Sequence, residues 1–257
     1  MAKLKKLPIG WKIVIFTLVF AIAGMLGMNF YEWWMEQRAR FIRYDVFGTE
    51  IPANYSIHGI DVSKYQDIID WQSVQRMQVE NVKIGFAFIK ATEGNGNRDR
   101  HFNRNWKKAK EAGVTRGAYH FFIATKSGRI QAENFIENVT LEPGDLPPVL
   151  DVEQTYGVNE TKLRERVKEF LHVVENHYGI VPVLYTNVDF YKQYLKDDFD
   201  VYPLWVAHYL QKERPRIHRP WQFWQHSETG RVNGIYPKVD FNVFNGDSTE
   251  FRKMLLR

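Results

Sequence analysis

The stretch Leu146–Gly157, LPPVLDVEQTYG, places two carboxylates, Asp151 and Glu153, at the end of a short apolar run that two prolines open. The run 149–152 is typical of a buried strand, and side chains alternate faces along a strand, so the two acids are predicted to project to the same side. The charge of one carboxylate raises the proton affinity of the other, which suits an acid that delivers a proton near neutral pH. Two solvated acids at a surface strand end explain this stretch equally well, so the rest of the chain has to decide.

Apolar runs of strand length recur along the chain and alternate with helical patterns. The eight runs are residues 58–63, 84–91, 116–122, 148–153, 181–187, 203–209, 223–227 and 239–244. The clearest helical pattern has a period near 3.6, extends from Leu163 to Tyr178 and is followed by Gly179 as a C-cap. Strands that alternate with helices imply a mostly parallel sheet. The pattern therefore predicts an α/β fold, a modified (β/α)8-like barrel with fewer helices than strands, because the later connections are too short for full helices.

Nearly every run ends in a polar side chain. These are Asp61, Lys90 with Glu93, His120, Asp151 with Glu153, Tyr185 with Asn187, His208, Gln225 and Asp240. The carboxyl ends of parallel barrel strands meet at one face, where active sites lie. Aromatic residues accompany them: Tyr119, Tyr185, Trp205 and Trp224. Carboxylates beside flat rings are what glycoside cleavage requires, because one acid protonates the leaving oxygen and rings stack on sugars.

Other site chemistries fit the sequence less well. A metal site built on the acids with His120 or His208 lacks H-E-x-x-H or any comparable close spacing, so neither a metal nor a cofactor is predicted. A serine hydrolase lacks its G-x-S-x-G turn. The chain has no cysteine, so it has neither a disulfide nor a thiolate nucleophile. The alternative to a role in catalysis or binding is a structural role: the rings pack the barrel, His120 is a core histidine, and Lys90 and Glu93 form an ion pair.

The charge of the chain is concentrated at its amino terminus. The net charge is +5, and the first 43 of the 257 residues hold seven basic and two acidic residues, so the remainder is neutral. A neutral globular part has no electrostatic footprint for a phosphate backbone. The sequence therefore argues against nucleic acid as a partner.

The amino terminus predicts membrane insertion. No residue from Ile13 to Tyr31 is charged, and about 20 apolar residues in a helix cross the hydrocarbon core of a bilayer. Lysines before this segment favour a cytoplasmic amino terminus, although arginines at 38, 40 and 43 weaken that preference. A single-pass signal anchor with the globular part outside the cytoplasm is favoured over a signal peptide cleaved after Ala23, because the apolar stretch continues past that residue. The predicted organisation is a basic end with a transmembrane anchor over 1–36, a connector over 37–57 and a catalytic barrel over 58–257.

Eight motifs give the chain a specific resemblance. They are GIDVSKYQ (59–66), FAFIKATEG (86–94), AGVTRGAYHFF (112–122), PVLDVE (148–153), VLYTN (183–187), LWVAHY (204–209), WQHS (224–227) and VDFNVFNG (239–246). In this order they resemble the strand motifs of glycoside hydrolase family 25, the Chalaropsis-type lysozymes. The resemblance implies a modified β/α barrel with N-acetylmuramidase activity on peptidoglycan glycan strands. It implies Glu153 as general acid, Asp151 as its partner, and Asp61 and Asp240 as further active-site acids. The predicted substrate-contacting residues are Tyr119, Tyr185, Trp205, Gln225, Lys90 and Glu93, and a monomer is expected.

The reaction course follows from the substrate. A muramyl sugar carries a 2-acetamido group, so its oxygen can attack the anomeric carbon while Asp151 orients it, with retention of configuration. An inverting route in which Asp61 or Asp240 activates water is the alternative. Two other functions stay open, hydrolysis of another 2-acetamido glycan such as chitin, and a catalytically silent peptidoglycan-binding module.

Overall fold

The computed structural model describes residues 8–36, 41–209, 211 and 214–257, with only the backbone of 32–36. These residues divide into two units, one that contains the amino-terminal helix and Arg214 and a second that contains the barrel. The helix, α1 (Ile9–Glu36), contains the apolar segment Ile9–Tyr31, whose mean hydropathy is 2.2. This segment has the length and composition of a membrane span, as signal sequences near an amino terminus also have. The basic residues 3, 5, 6, 38 and 40, on which the predicted orientation depends, lie outside the described residues.

Eight strands close into a barrel, and each arises from one of the eight predicted runs. In spatial order they are β3 (His58–Val62), β12 (Val239–Phe244), β11 (Phe223–Gly230), β10 (Leu204–Ala207), β9 (Val183–Asn187), β8 (Val149–Asp151), β7 (Thr115–Phe121) and β5 (Val82–Glu93), which pairs back with β3. Two short strands, β4 (Gln78–Val79) and β6 (Asn97–Arg98), pair with β5 alone. A closed barrel of eight strands is therefore confirmed.

One barrel strand departs from the parallel arrangement. β12 is antiparallel to both of its neighbours, β11 and β3, whereas the other barrel pairings are parallel. Asp240 is the second residue of β12, so it lies at the start of its strand and not at the carboxyl end. Because the strand is reversed, its start meets the carboxyl ends of the other strands. Asp240 therefore lies at the predicted rim near the start of its strand, whereas the other three acids lie there at or just after the ends of theirs.

The α-helices are fewer than the strands of the barrel, and a 3₁₀ segment (Lys64–Gln66) and a π segment (Tyr191–Leu195) are present besides them. Besides α1, the described residues form α2 (Trp71–Arg76), α3 (Phe102–Glu111), α4 (Gly128–Asn138), α5 (Glu160–Tyr178), α6 (Val188–Phe190) and α7 (Ser248–Met254). The predicted pattern at 163–178 is α5. Its amino terminus is capped by the Asn159 side chain, and it ends at Gly179, whose φ of 68° lies in the left-handed region that glycine tolerates.

Most of the predicted connector is a folded element. Within residues 37–57 the chain forms an antiparallel hairpin of two strands, β1 (Phe41–Tyr44) and β2 (Thr49–Pro52). Phe47 in its turn is fully buried, its carbonyl accepts a hydrogen bond from the Arg231 backbone at 2.8 Å, and its ring meets that of Phe241 at 5.4 Å. The hairpin therefore packs on the outside of the barrel and is no extended tether. Its apolar side chains provide the surface that this packing buries.

Aromatic side chains fill the inside of the barrel below the rim. Phe88 stacks on Trp205 with ring centroids 4.3 Å apart, and Phe223 meets Phe88 edge-on at 5.0 Å. Gly117 on β7 makes room for this layer, since a Cβ there would lie 2.6 Å from the Phe88 ring. The layer forms a solid floor, so any ligand of the barrel binds at the rim above it.

Candidate active site

A polar cleft of about 240 Å³ lies above the aromatic floor, at the rim where the parallel strands end. It brings together nine of the ten predicted site residues: Asp61, Lys90, Tyr119, Asp151, Glu153, Tyr185, Trp205, Gln225 and Asp240. The tenth, Glu93, lies in an adjoining pocket. Barrel closure explains this assembly, because it places strand ends that are far apart in sequence around one opening.

Asp151 and Glu153 form the first acid pair of the cleft. Asp151 ends β8 and is only 6% exposed, and its Oδ1 has no hydrogen-bond partner among the described residues. Glu153, two residues later, is half-buried and lines the same cleft, as strand alternation predicts. Burial raises the pKa of both carboxyl groups, and the charge of Glu153 raises that of Asp151 further. The pair therefore retains a proton at a higher pH than two exposed carboxyl groups would.

Two neighbours moderate the proton affinity of Glu153. A hydrogen bond from Tyr185 and the positive charge of Lys90 both act to lower its pKa, but burial outweighs them. The Tyr185 hydroxyl also lies 2.7 Å from Gln225 Oε1, and its single proton serves one acceptor at a time. Tyr185 can therefore adjust to either protonation state of Glu153.

Asp61 and Asp240 form the second acid pair. They are directly opposite each other in the β3–β12 register and hydrogen-bond to each other. Burial raises the pKa of Asp61 to about 6. The pKa of Asp240 rises to about 9, first through burial and then through the charge of Asp61. At neutral pH the pair therefore shares one proton and one negative charge.

Two amides hold the Asp61 carboxylate. Its Oδ2 accepts hydrogen bonds from Asn242 Nδ2 and Gln225 Nε2, both at 2.8 Å. Gln225 Oε1 in turn accepts from the Tyr209 hydroxyl at 2.5 Å, and Asn242 Oδ1 accepts from Trp205 Nε1 at 2.8 Å. These bonds to the amide oxygens orient both NH₂ groups towards the acid.

Sequence reasoning missed two members of this network. Asn242 is two residues from Asp240 on the same strand, and strand alternation would have placed it on the same face. Tyr209 ends the predicted run 203–209, and alternation from Trp205 would have placed it on the same face, although the observed strand β10 ends at Ala207. Trp205, predicted to contact substrate, is only 2% exposed, so its ring offers a sugar little surface. Its hydrogen bond to Asn242 is the interaction that the structure provides.

Trp224, named among the aromatic residues, and His120, named among the strand-end groups, both lie away from the cleft. Trp224 is fully buried on the outer face of β11, because its neighbours Phe223 and Gln225 face inwards, and its ring meets Phe41 of the hairpin at 5.8 Å. His120 is fully buried and bonded to Thr92 at 2.7 Å. The structure therefore supports the structural interpretation, in which both residues pack the barrel.

Lys90 and Glu93 connect the cleft to its neighbour. Lys90 Nζ lies 2.6 Å from Glu93 Oε2, so the predicted ion pair is present. Lys90 lines the cleft and also a second pocket of about 340 Å³, which it shares with Glu93, Lys64, Asn97, Arg98, Asp99 and Arg100. Sequence reasoning did not find this pocket, because its residues come from two segments with no common motif.

Comparison with known proteins identifies the fold. The family model of glycosyl hydrolases family 25 matches residues 60–235. YegX of Escherichia coli K12 is 46% identical over 206 residues, which are 80% of this chain and 76% of YegX. Lysozyme M1 of Streptomyces globisporus is 35% identical over 213 residues, 77% of this chain and 71% of that protein. A family 25 glycosyl hydrolase structure from Bacillus anthracis, 33% identical, superposes with a TM-score of 0.73 over 84% of this chain and 100% of that one. With its closed barrel and acidic rim, the chain belongs to glycosyl hydrolases family 25.

Proposed function

We propose that the chain is a muramidase that hydrolyses the β-1,4 bond between N-acetylmuramic acid and N-acetylglucosamine in peptidoglycan, with Glu153 as the general acid. Family membership makes the protein a glycoside hydrolase. A lysozyme and a muramidase among its relatives support peptidoglycan as the substrate. The observation that carries the proposal is the acid pair Asp151 and Glu153 with raised pKa in one open cleft.

Glu153 suits the donor role better than its partner does. It is half-buried, so it can reach a glycosidic oxygen in the cleft, whereas Asp151 is almost entirely covered. A general acid has to be protonated near the working pH, and burial shifts the pKa of Glu153 in that direction. Tyr185, within hydrogen-bonding reach, can then stabilise the carboxylate that remains after proton transfer.

Asp151 is proposed to bind the substrate acetamido group. Asp151 lines the cleft with a small exposed part of its carboxylate, and an acetamido N–H in the cleft can donate to that part. Burial raises the pKa of both Asp151 and Glu153, so the pair retains a proton when the cleft is empty. A hydrogen bond to a carboxylate favours its charged form, so the arriving acetamide would shift the proton to Glu153. Substrate binding thereby protonates the general acid, Glu153.

The second acid pair supports the retaining course. Inversion needs a carboxylate that takes a proton from water, but the Asp61–Asp240 pair keeps one proton up to about pH 9. Asp61 is ionised above about pH 6, yet its Oδ2 is occupied by two amides. Asp61 is therefore better placed to stabilise positive charge on the sugar ring than to act as base. The acetamide oxygen of the substrate is then the nucleophile.

Product analysis tests the proposal. Purified full-length chain in detergent, incubated with peptidoglycan and then borohydride, is expected to release fragments with reduced muramic acid at their ends by mass spectrometry. Proton NMR of the unreduced products is expected to show the β-anomer first, because the configuration is retained. Reduced glucosamine ends, cleavage of chitin alone, or binding without cleavage would contradict the muramidase proposal. An α-anomer formed first would exclude only participation of the acetamide.

We propose further that residues 1–36 anchor the enzyme in the cell membrane with the barrel, residues 58–257, outside the cytoplasm. The 23-residue apolar segment of α1 supports this, since its length matches a bilayer core. Immunoblots of fractionated cells are expected to show the full-length protein in the membrane fraction, resistant to a carbonate wash. A shorter species in the soluble extracytoplasmic fraction would indicate a cleaved signal peptide.

A further inference from the structure

The pocket beside the catalytic cleft is basic. It is lined by four basic side chains and two acidic ones, a formal net charge of +2, whereas the cleft itself holds four carboxylates. Lys90 lines both, so the two cavities adjoin at its side chain. A ligand that occupies both would have to combine an uncharged ring with an anionic branch.

The acidic residues of the pocket are already engaged. Asp99 is buried, and its two oxygens accept the backbone N–H groups of Lys64 at 2.7 Å and His101 at 2.9 Å. Glu93 is paired with Lys90. By contrast, Lys64, Arg98 and Arg100 are exposed, and none has a carboxylate within 4.0 Å in the part of the chain that the structure describes. Arg100 Nε donates to His101 Nε2 at 3.1 Å, which leaves its two terminal NH₂ groups, together with Lys64 and Arg98, available to an anion from solution.

The loop that carries the arginines is held in place. β6 pairs with the end of β5, and the Asp99 backbone donates to Ala91 O at 2.8 Å. Asn134 on α4 donates from its side chain to Gly94 O at 2.9 Å, which fixes the turn between the two strands. A fixed loop loses little conformational entropy when a ligand binds. The pocket is thus preformed beside the cleft.

We propose that this basic pocket is a subsite for carboxylates on the C3 branch of the muramyl ring, chiefly those of its stem peptide. The inference rests on the proposed muramidase function and names the substrate feature that the enzyme selects. Muramic acid carries its lactyl ether on C3, next to the acetamido-bearing C2. An acetamido group held by Asp151 therefore places the branch close to Lys90, whose charge acts on Asp151. Arg98 and Arg100 line the same pocket as Lys90, and their guanidinium groups can bind carboxylates in bidentate fashion.

The test compares two double variants of the full-length chain in detergent. R98Q/R100Q removes two charges from the pocket. K83Q/K253Q removes the same charge from exposed positions outside both cavities, with Lys83 near the amino end of β5, opposite the rim. Each is assayed on three glycans: strands with intact peptides, strands stripped by an amidase to free lactyl carboxylates, and stripped strands whose carboxylates are capped as methylamides.

For R98Q/R100Q we expect KM on peptide-bearing strands to rise about three- to tenfold, since exposed ion pairs are individually modest. On capped strands KM should stay at the wild-type value, and the control variant should match wild type on all three glycans. A rise on the stripped, uncapped strands as well would assign the lactyl carboxylate as a ligand too. Equal KM for the variant and wild type on both carboxylate-bearing glycans, or an equal rise on the capped glycan, overturns the subsite.

A binding measurement separates this inference from the proposed function. If wild type cleaves none of the glycans, the muramidase proposal fails first. Calorimetry with an N-acetylmuramyl peptide then still tests the pocket. R98Q/R100Q should raise its Kd by a similar factor, and an unchanged Kd overturns the subsite whatever the enzyme cleaves.

Discussion

Glu153→Gln is expected to lower kcat on cell-wall suspensions by about 10²- to 10⁴-fold, the usual contribution of a general acid. Glutamine has nearly the same shape as glutamic acid but cannot deliver a proton to the departing oxygen. It retains a side-chain oxygen that can accept a hydrogen bond from Tyr185, so substrate binding and KM should change little. The decrease in turbidity of a cell-wall suspension over time measures the effect.

The fold should survive this substitution. Glu153 is half-buried just beyond the end of β8, and a neutral amide removes the energetic penalty of a charge in a covered position. Glu133→Gln on the exposed face of α4 is the matched control, because it makes the same chemical change outside the cleft. If folded Glu153→Gln protein clears the suspension at the rate of this control, Glu153 is not the acid.

The strands were predictable because each combines a short apolar run with alternating faces. Alternation along 149–153 also predicted that Asp151 and Glu153 share a side, and both line the cleft. These are local properties, set within a few residues of chain. The resemblance to family 25 added the order of the motifs, and with it which strand ends meet at one rim.

What the sequence did not reveal depends on contacts between distant segments. The hairpin in the connector is stabilised by a ring contact between Phe47 and Phe241, which are far apart in the sequence. Asp240 reaches the rim because β12 runs antiparallel to β3, and a strand pattern carries no direction. Trp205 was predicted to stack on a sugar, but Asn242 bonds its indole below the surface of the cleft. The basic pocket forms only when the segment at Lys64 meets the loop at Arg98.

Asp151→Asn is expected to lower kcat by about 10²- to 10³-fold, comparable to the loss of one preorganised electrostatic contact to a transition state. When the acetamide oxygen attacks the anomeric carbon, positive charge develops on the acetamido group, and the Asp151 carboxylate would stabilise it. Asparagine can still accept the N–H through its carbonyl oxygen but carries no charge. The loss should therefore fall on kcat, with little change in KM. Initial rates at several concentrations of soluble glycan fragments separate the two constants.

Stability distinguishes this role from a structural one. The raised pKa of Asp151 means that its ionised form is disfavoured by folding, so the residue destabilises the protein above the pKa of an exposed aspartate, and this penalty is absent at lower pH. Asparagine removes the penalty, so Tm at neutral pH should be equal to or above that of wild type. Asp189→Asn on the exposed surface is the control. A variant that keeps more than about a tenth of wild-type kcat would contradict the acetamide mechanism, because an uncharged side chain supplies too little of this electrostatic stabilisation. A lower Tm would instead identify Asp151 as a residue that the barrel needs in order to fold.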